Sequence, residues 1–482
     1  MKMLIGGEWV AASDNATFDV VNPATGKVID TMPSATKEDV DRAIALAVEG
    51  QKKWARLTLR DRTRMLKKFA ALVMERRLEL GKILSAETGK PYMAEAVWEF
   101  DSVAYVFEGA CEVAMHHYGQ VMPIATEPGY DDDIQFTVNE PLGVIACIIP
   151  YNFPPAIWAF KAAAALAAGN AIVVKAPSDD PMALMTLHSM LLEVGVPGDV
   201  ISCLTGSGRA MSEWLCGDPR VASINFTGSA QTGKDIARVA ADQLNGYTFE
   251  LGGNDPFIVF PDADMDLVIK EAGDKARNAG QCCSAAKRFI VHNSLKDEFI
   301  RRLVDEQLKP LVLGDPMDEK TTMGPMISER QAKKVEEQIQ YTIAQGAKLV
   351  YGGKRKGAFM DPTVLTDVTI DMDITRDMEV FGPCWPVIGF DTVEEAIELA
   401  NATNYGLSSG FFTKDMKLAA KMVRSIKAGY VTVNASGGFR AAELPFGGGK
   451  KMSGNSRESL AAVMGEVTQK KSVILRYILK ED

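Results

Sequence analysis

The chain contains 482 residues, of which 47% are hydrophobic and 24% are charged, and its formal net charge is −10. A chain of this length exceeds the size at which a single hydrophobic core stops growing, so we expect two or three domains. Nucleic acids and anionic membranes both require an electropositive surface, so the acidic balance argues against either as a partner.

Cysteine and histidine usage narrows the class of protein further. The seven cysteines include an adjacent pair and show no disulfide framework, which indicates a reducing compartment. The first residues lack the apolar stretch of a signal peptide, and no run of about 18 apolar residues occurs, so we expect a cytoplasmic protein. The four histidines do not stand with cysteines or carboxylates at metal-ligand spacing, and no metal centre is predicted.

The N-terminal part predicts strands and then a helical region. LIGGEWV (4–10) and FDVVNPATGKVIDTMP (18–33) have the pattern of strands, with a turn over residues 22–26. Apolar residues then recur every three or four positions from about Lys37 to Glu108, as in amphipathic helices. Gly89-Lys90-Pro91 interrupts this helical pattern.

An extended segment and a parallel sheet follow. Residues 119–139 are extended and polar in the middle, which favours a β-arm. PLGVIACIIPYNFP (141–154) is typical of a buried parallel strand that delivers a loop at its carboxyl end, where sites of open α/β sheets form. FKAAAALAAGNAIVVKAP (160–177) predicts a helix and a strand at Ala171–Val174, and thus a βαβ unit. Further alternation predicts a doubly wound nucleotide-binding sheet, with a second α/β domain from about residue 250.

Two later segments add a phosphate site and an edge strand. INFTGSAQTGKDIARVA (224–240) places Gly228, Ser229 and Gly233 between a strand and a helix, where glycines let the backbone approach a phosphate. It is not a GxGxxG motif, and an ordinary strand-to-helix turn fits it equally well. KKSVILRYIL (470–479) predicts a terminal strand whose unpaired edge invites another chain.

Several motifs, in this order, carry a family resemblance. They are PYNFP (150–154), VVKAPSDDP (173–181), FTGS (226–229), ELGGNDP (250–256), NAGQCCSAAKR (278–288), EVFGP (379–383) and PFGGGK (445–450). They resemble the aldehyde dehydrogenase superfamily across essentially the whole chain. ELGGNDPFIVFPDADMDL, together with RNAGQ, is similar to the succinate-semialdehyde dehydrogenase branch in particular.

The resemblance implies an α/β fold like that of aldehyde dehydrogenases. It has a Rossmann-type open parallel sheet for the cofactor, an α/β catalytic domain and a small β oligomerisation arm. We place the NAD(P)-binding domain at residues 1–118 and 140–249, the catalytic domain at 250–452, and the arm at 119–139 and 453–482. A homodimer or a homotetramer is expected by the same resemblance.

The resemblance also assigns the chemistry. A thiolate must first add to the aldehyde, because a hydride leaves readily only from the tetrahedral adduct. Cys283 stands in the family's nucleophile position, two residues after Gln281, although Cys282 is chemically competent too. Asn152 matches the asparagine that donates to the oxyanion. Glu250 matches the general base that activates water to hydrolyse the thioester.

Two alternative activities follow from the same residues. Glu250 disfavours a CoA-acylating enzyme, since acylating relatives characteristically lack this carboxylate. A non-catalytic structural or binding member would have lost the nucleophile or the base, and both are present.

Glu458 resembles a second family glutamate that relays protons, although Ser456 replaces a glycine beside it and the spacing is one residue longer.

The cofactor is expected to be NADP+ or NAD+. By resemblance, Lys175 binds the adenosine ribose and Glu379 the nicotinamide ribose. Ser178 stands where NAD-selective members often have a glutamate that repels a 2′-phosphate, so NADP+ is favoured, while Asp179 and Asp180 nearby oppose this advantage. The expected cofactor contacts are Lys175, Ser178, Gly228, Ser229, Gly233, Leu251, Glu379 and Phe381.

The substrate is expected to be a small anionic aldehyde such as succinate semialdehyde. Arg277 matches an arginine that binds the substrate carboxylate in that branch, and Arg440 lies in a loop at the substrate mouth. The branch's second arginine is replaced by Phe160, so Arg440 either takes its place or forms a surface salt bridge. A hydroxyaldehyde such as lactaldehyde or glycolaldehyde, or an aromatic aldehyde stacked on Phe153, Phe160 and Trp158, is the alternative.

Overall fold

Strands and helices alternate along the chain as the sequence predicts. In the computed structural model, residues 1–125 and 127–480 are described. The strands are β1 (Met3–Ile5), β2 (Glu8–Val10), β3 (Thr17–Val21), β4 (Val28–Pro33), β5 (Ile134–Pro141), β6 (Val144–Ile148), β7 (Ala171–Lys175), β8 (Ile201–Leu204), β9 (Val221–Thr227), β10 (Gly246–Glu250), β11 (Pro256–Val259), β12 (Arg288–His292), β13 (Lys348–Tyr351), β14 (Arg355–Lys356), β15 (Phe359–Met360), β16 (Thr363–Thr366), β17 (Cys384–Phe390), β18 (Ser408–Phe412), β19 (Tyr430–Val433) and β20 (Thr468–Leu475).

The helices connect these strands. The α-helices are α1 (Lys37–Arg56), α2 (Leu59–Thr88), α3 (Val97–His116), α4 (Pro154–Ala168), α5 (Met182–Glu193), α6 (Gly208–Cys216), α7 (Ala230–Ala241), α8 (Met265–Gly273), α9 (Lys296–Arg302), α10 (Glu329–Ala344), α11 (Val393–Asn401), α12 (Met416–Ser425) and α13 (Leu460–Glu466). Short 3₁₀ or π segments lie at Tyr92–Ala96, Gly198–Val200, Asp274–Gly280, Leu303–Leu308, Asp373–Thr375 and Lys451–Ser453.

The first sheet has the strand order β10-β9-β6-β7-β8-β1-β2. β6 to β10 pair in parallel, whereas β1 and β2 add an antiparallel edge. Every residue of β6 and β7 is buried, which explains their continuous apolar sequences. Because β7 lies on one side of β6 and β9 on the other, the strand order reverses at β6, and a crevice forms at the carboxyl ends there.

Local sequence signals set the ends of the N-terminal helices. Thr36 and Asp39 form a capping box at the start of α1. The helix α2 ends at Gly89, whose φ of 81° is left-handed, so the predicted break at Gly89-Lys90-Pro91 is confirmed. Although α2 is 30 residues long, it carries charged side chains along its length. Over the described ranges, we find no helix whose length and apolar character would suit a membrane crossing.

The second sheet, with order β13-β16-β17-β12-β11-β18-β19, forms the predicted second α/β domain. Only β13 is antiparallel to its neighbour within this sheet. The Arg288 guanidinium, fully buried at the start of β12, donates to the backbone carbonyls of Asn254, Thr375, Leu399 and Ala400 at 2.5–3.2 Å. These hydrogen bonds offset the free-energy cost of burying the guanidinium charge, and they connect β12 to the surrounding loops.

β5 and β20 form a two-stranded sheet that is separate from the two seven-stranded sheets. β5 pairs with β20 in antiparallel register from Pro141↔Thr468 to Ile134↔Leu475, at the places where the sequence predicts an arm. The boundary at residue 453 differs from the structure, because α13 contributes Leu460, Val463 and Met464 to the core of the first domain. Within the arm segments 119–139 and 453–482, Thr126 and residues 481–482 lie outside the described residues.

Candidate active site

The two domains enclose a cavity of about 650 Å³. Helices α3 and α4 of the first domain line it, together with the loop around Cys283 and the loop 436–443 of the second domain. Of the predicted substrate residues, all four line this cavity: Phe153, Phe160, Arg277 and Arg440. The structure therefore brings the thiols and the predicted substrate contacts together.

The loop that precedes the two thiols has an unusual backbone. Asn278, Ala279 and Gly280 have φ values of 49°, 49° and 75°, which is the left-handed region. Non-glycine residues adopt it at an energetic cost, and such strain clusters at functional sites. At Gly280 a Cβ atom would collide with the backbone of Gly382, so the glycines of NAGQ and EVFGP meet at this point.

Hydrogen bonds hold this strained loop in place. The Asn278 N–H donates to the buried Glu95 carboxylate at 2.8 Å, and the Asn278 side chain donates to the Asn152 carbonyl at 2.8 Å. Gln281 Nε2 donates to the Asn278 carbonyl at 3.0 Å, and Gln281 Oε1 accepts from the Ile327 N–H at 3.0 Å. Burial raises the pKa of Glu95 to about 7. Through the bond from Asn278, the predicted oxyanion donor Asn152, which is buried, adjoins the thiol loop.

Cys282 and Cys283 differ from the other cysteines in accessibility. Both are partly exposed and line the cavity, whereas the remaining five are buried. Interaction with the Cys282 thiol and burial raise the pKa of Cys283, while the Lys287 ammonium opposes this shift. The neighbouring thiol and burial thus oppose formation of the Cys283 thiolate, and the Lys287 ammonium favours it.

Glu250 ends β10 and is 5% exposed. Its Oε1 has no hydrogen-bond partner within the described part of the chain. Burial, and then the nearby Glu458 carboxylate, raise the pKa of Glu250 well above its usual value. A Cβ atom at Gly447 would lie 2.8 Å from Glu250 Oε1, so the first glycine of PFGGGK makes room for this carboxylate.

Glu458 is the centre of a buried ion cluster. Its carboxylate lies 3.4 Å from Lys161 Nζ and 3.0 Å from Arg440 Nη2. Burial alone would raise the pKa of Glu458, but Lys161 and Arg440 outweigh it and lower that pKa. The pKa of Glu250 is thus raised and that of Glu458 is lowered. Such a difference suits Glu250 to exchange protons and Glu458 to remain a fixed negative charge.

Arg440 is fixed between two aromatic rings. Its guanidinium lies 4.6 Å from the centroid of Phe160 and 4.5 Å from that of Phe446. Phe160 stands where the succinate-semialdehyde branch has its second arginine, and its ring thus packs against the guanidinium of Arg440. Arg440 Nε is buried and has no partner among the residues that the structure describes. Of the two readings that the sequence left open for Arg440, the salt bridge is present, but its partner Glu458 is only 5% exposed, so the pair is not a surface one.

Arg277 lies at the edge of the same cavity and is exposed. Its guanidinium stacks 4.9 Å from the ring of Trp98 on α3. It forms no salt bridge with any described residue. Asp274 and Glu95 interact with its charge without forming a salt bridge, and the guanidinium faces the cavity.

The predicted cofactor residues gather at the carboxyl ends of the first sheet. Lys175 Nζ donates to Ser178 Oγ at 3.4 Å, and Ser178 donates to the Gly206 carbonyl at 3.0 Å. Burial lowers the pKa of Lys175 to about 8. Ser229 caps α7 by accepting from the Thr232 N–H at 3.2 Å. These groups lie where the strand order of the sheet reverses. There the buried Lys175 amine fits a ribose of a dinucleotide, and the N-terminus of α7 fits its phosphate groups.

The other expected cofactor contacts lie around the same crevice. Gly228 follows β9, and its N–H donates to the Glu250 carbonyl at 3.0 Å. A Cβ atom at Gly233 would come within 2.8 Å of the Leu251 side chain, so this glycine permits close helix–sheet packing. Phe381 meets the ring of Tyr151 edge-on at 6.3 Å. Leu251 thus packs against α7, and Phe381 packs against Tyr151.

Glu379 has a partner that the sequence analysis missed. Its carboxylate accepts from the Gly253 N–H at 3.3 Å and lies 3.3 Å from Lys287 Nζ. Lys287 also donates to the Cys283 carbonyl at 2.5 Å. The only available signal was a lysine directly before the buried strand RFIVH, where a charge needs a partner.

Within residues 1–125 and 127–480 there is no group of three or more His, Cys, Asp or Glu residues that could hold a metal ion.

Comparison with known proteins extends over nearly the whole chain. A model of the aldehyde dehydrogenase family matches residues 9–473. A 3-sulfolactaldehyde dehydrogenase of Priestia aryabhattai is 35% identical over 474 residues, covering 98% of this chain and 97% of the relative. Another of Pseudomonas putida is 38% identical over 461 residues, covering 95% and 93%. A crystal structure of an E. coli NADP-dependent enzyme has a TM-score of 0.95 at 34% identity and covers 98% of each chain.

The accessibility of the cysteines predicts a labelling pattern. Iodoacetamide should modify at most two thiols of the native protein, Cys282 and Cys283, because burial raises the pKa of Cys111, Cys147, Cys216 and Cys384 to about 12 and excludes the reagent. Intact-mass spectrometry would count the adducts, and the variant Cys384→Ser serves as a matched control with unchanged labelling. Modification of a third cysteine in the native protein would contradict this description of the site.

Proposed function

Because this chain belongs to the aldehyde dehydrogenase family, we propose that it oxidises a small aldehyde with an anionic far end to the corresponding carboxylate, using NADP+ or NAD+. The observation that carries the proposal is the free guanidinium of Arg277 in the cavity that also contains Cys283. An unpaired guanidinium beside a nucleophile favours a substrate whose reactive carbonyl is a short distance from an anion.

The proposed reaction begins at Cys283. Its sulfur adds to the aldehyde carbon, and the resulting oxyanion is met by the Asn152 side chain and the Cys283 backbone N–H. The dinucleotide, when bound, supplies the acceptor for the hydride that leaves this carbon. The acyl group is then a thioester on Cys283, and attack by water restores the thiol and releases the carboxylate.

Glu250 is proposed as the base for the hydrolysis step, which follows addition of the Cys283 thiolate and departure of the hydride. Its raised pKa suits it to take a proton from the water that attacks the thioester. Glu458, whose pKa is lowered by Lys161 and Arg440, stays ionised beside it. Because Glu250 is retained, hydrolysis is favoured over transfer of the acyl group to CoA.

The relatives indicate which anion to test first. They are named for 3-sulfolactaldehyde, whose far end is a sulfonate, whereas the sequence motifs favour the carboxylate of succinate semialdehyde. We propose 3-sulfolactaldehyde as the first candidate and succinate semialdehyde as the second. In both, the anion would contact the guanidinium of Arg277. An uncharged hydroxyaldehyde would leave this donor unused.

NADP+ is proposed as the preferred cofactor. The neutral Ser178 hydroxyl lies beside Lys175, where it does not repel a 2′-phosphate. Burial raises the pKa values of Asp179 and Asp180, which weakens the negative charge that these two residues bring to the crevice. The similar E. coli structure is of an NADP-dependent enzyme.

We further propose a homodimer or a homotetramer in the cytoplasm. The ribbon of β5 and β20 exposes Ile474 and Leu475, and Ile478 and Leu479 follow them on the surface. An exposed strand edge with apolar side chains is typical of a chain that pairs with another copy. All seven cysteines are free, as suits a reducing compartment.

The anion requirement predicts a selective effect of Arg277→Met. This variant should raise KM for 3-sulfolactaldehyde and succinate semialdehyde about 10- to 100-fold, since a charge-assisted contact contributes roughly 1.5–3 kcal/mol. For uncharged lactaldehyde, KM should change less than about threefold. NAD(P)H formation at 340 nm with each cofactor would measure this. The exposed Arg424→Met on α12 is the matched control. A wild-type preference for lactaldehyde would contradict the anionic substrate.

The Glu250–Glu458 pair predicts a pH dependence. Glu250 acts when deprotonated, so the steady-state rate should rise with pH through its raised pKa. Glu458→Gln removes a like charge and leaves Lys161 and Arg440 unneutralised, which lowers the pKa of Glu250 and moves the rising limb to lower pH. Glu250→Gln should reduce kcat by about 10²–10⁴. If Glu458→Gln has an unchanged melting temperature and its rate rises with pH over the same range as in the wild type, the electrostatic coupling of Glu458 to Glu250 is contradicted.

A further inference from the structure

Lys287 connects the two halves of the proposed reaction site. It lies between the loop that carries Cys283 and the strand β12. Its side chain is 1% exposed. Its Nζ donates to the Cys283 carbonyl at 2.5 Å and lies 3.3 Å from the Glu379 carboxylate. One buried ammonium therefore contacts both the residue with the thiol and the residue expected to bind the nicotinamide ribose.

The surroundings keep Lys287 charged. Burial alone would lower the pKa of Lys287, but Glu379 and Asp255 outweigh it, so that this pKa is raised. The backbone N–H of Lys287 also donates to the Asp255 carbonyl at 2.9 Å, which fixes the start of the side chain. A buried ammonium with an anion and a carbonyl at hydrogen-bond distance is held in one orientation.

We propose that Lys287 is a positioning residue that orients Glu379 for the cofactor and Cys283 for the substrate through one shared ammonium. This inference rests on the proposed function, in which Glu379 binds the nicotinamide ribose and Cys283 is the nucleophile. The bond to the Cys283 carbonyl fixes the backbone of the residue that carries the thiol. The ion pair holds the Glu379 carboxylate in one orientation toward the crevice.

A second buried lysine offers a contrast in the same region. Lys275 is 3% exposed, and its Nζ has no hydrogen-bond partner in the described part of the chain. Burial lowers the pKa of Lys275 to about 7, so its amine carries a full charge only part of the time. Since Lys275 forms no bond to Glu379 or to the Cys283 carbonyl, Lys275→Met is a matched control for the loss of a buried amine.

The cofactor side of the proposal is tested by a double-mutant cycle. The Kd for NADPH, measured by quenching of protein fluorescence without aldehyde, should rise about 10-fold in Lys287→Met and less than about threefold in Lys287→Arg and Lys275→Met. In the Glu379→Gln background, Lys287→Met should add less than about twofold, because its action passes through Glu379. Multiplicative effects in the double variant, or an unchanged Kd in Lys287→Met, would overturn the proposal.

The thiol side is tested by alkylation of the free enzyme. The pH at which Cys283 reaches half its maximal rate with iodoacetamide, followed on the Cys283 peptide, should rise by about one unit in Lys287→Met, since a nearby ammonium favours the thiolate. The rise should persist in the Glu379→Gln background and be absent in Lys287→Arg. No rise in Lys287→Met, or an equal rise in Lys287→Arg, would overturn this half of the proposal.

A second variant, Lys287→Gln, and two readouts that need no aldehyde test Lys287 separately from the substrate class. If Lys287→Met does not accumulate as folded protein, Lys287→Gln retains a donor for the Cys283 carbonyl while removing the charge, and the same shifts in Kd and alkylation pH are expected. Neither measurement uses an aldehyde. A failure to oxidise any anionic aldehyde would therefore overturn the proposed substrate class without altering the outcome for Lys287.

Discussion

The site depends on a constrained backbone at residues 278–280. Three consecutive residues in the left-handed region turn the chain sharply before the thiols, and two of them are not glycine. The surrounding structure sustains this strain, because Glu95 binds the Asn278 N–H and the Asn278 side chain binds the Asn152 carbonyl. Helix α4, which follows Asn152, and the loop of Cys283 are thereby fixed to each other across the two domains.

Charge pairing is the second constraint on the site. Glu250, Glu458 and Glu379 are all substantially buried beside the cavity or the crevice, and each has a different environment. Glu458 and Glu379 have lysine or arginine partners, whereas Glu250 Oε1 has none in the part of the chain that the structure describes. Burial and the nearby Glu458 carboxylate raise the pKa of Glu250, which is the carboxylate proposed to act as a base.

The sequence predicted what depends on local patterns, and it missed what depends on distant contacts. The strands β6 and β7 were recognisable because both of their faces are buried, and the end of α2 because Gly89 adopts a left-handed φ. The assignment of α13 to the arm was wrong, since its apolar residues complete a core formed far away in sequence. The stacking of Arg440 on Phe160 and the Lys287–Glu379 pair likewise join distant segments, so neither had a local signal.

The central claim is that Cys283 carries the acyl group and that Glu250 is needed to release it. The most direct test is mass spectrometry of Glu250→Gln after it is mixed with NADP+ and the best aldehyde substrate and quenched in acid. The account predicts one acyl adduct per chain, located on the Cys283 peptide, with an equal amount of NADPH formed. An adduct located on Cys282, or NADPH formed without any adduct, would contradict it.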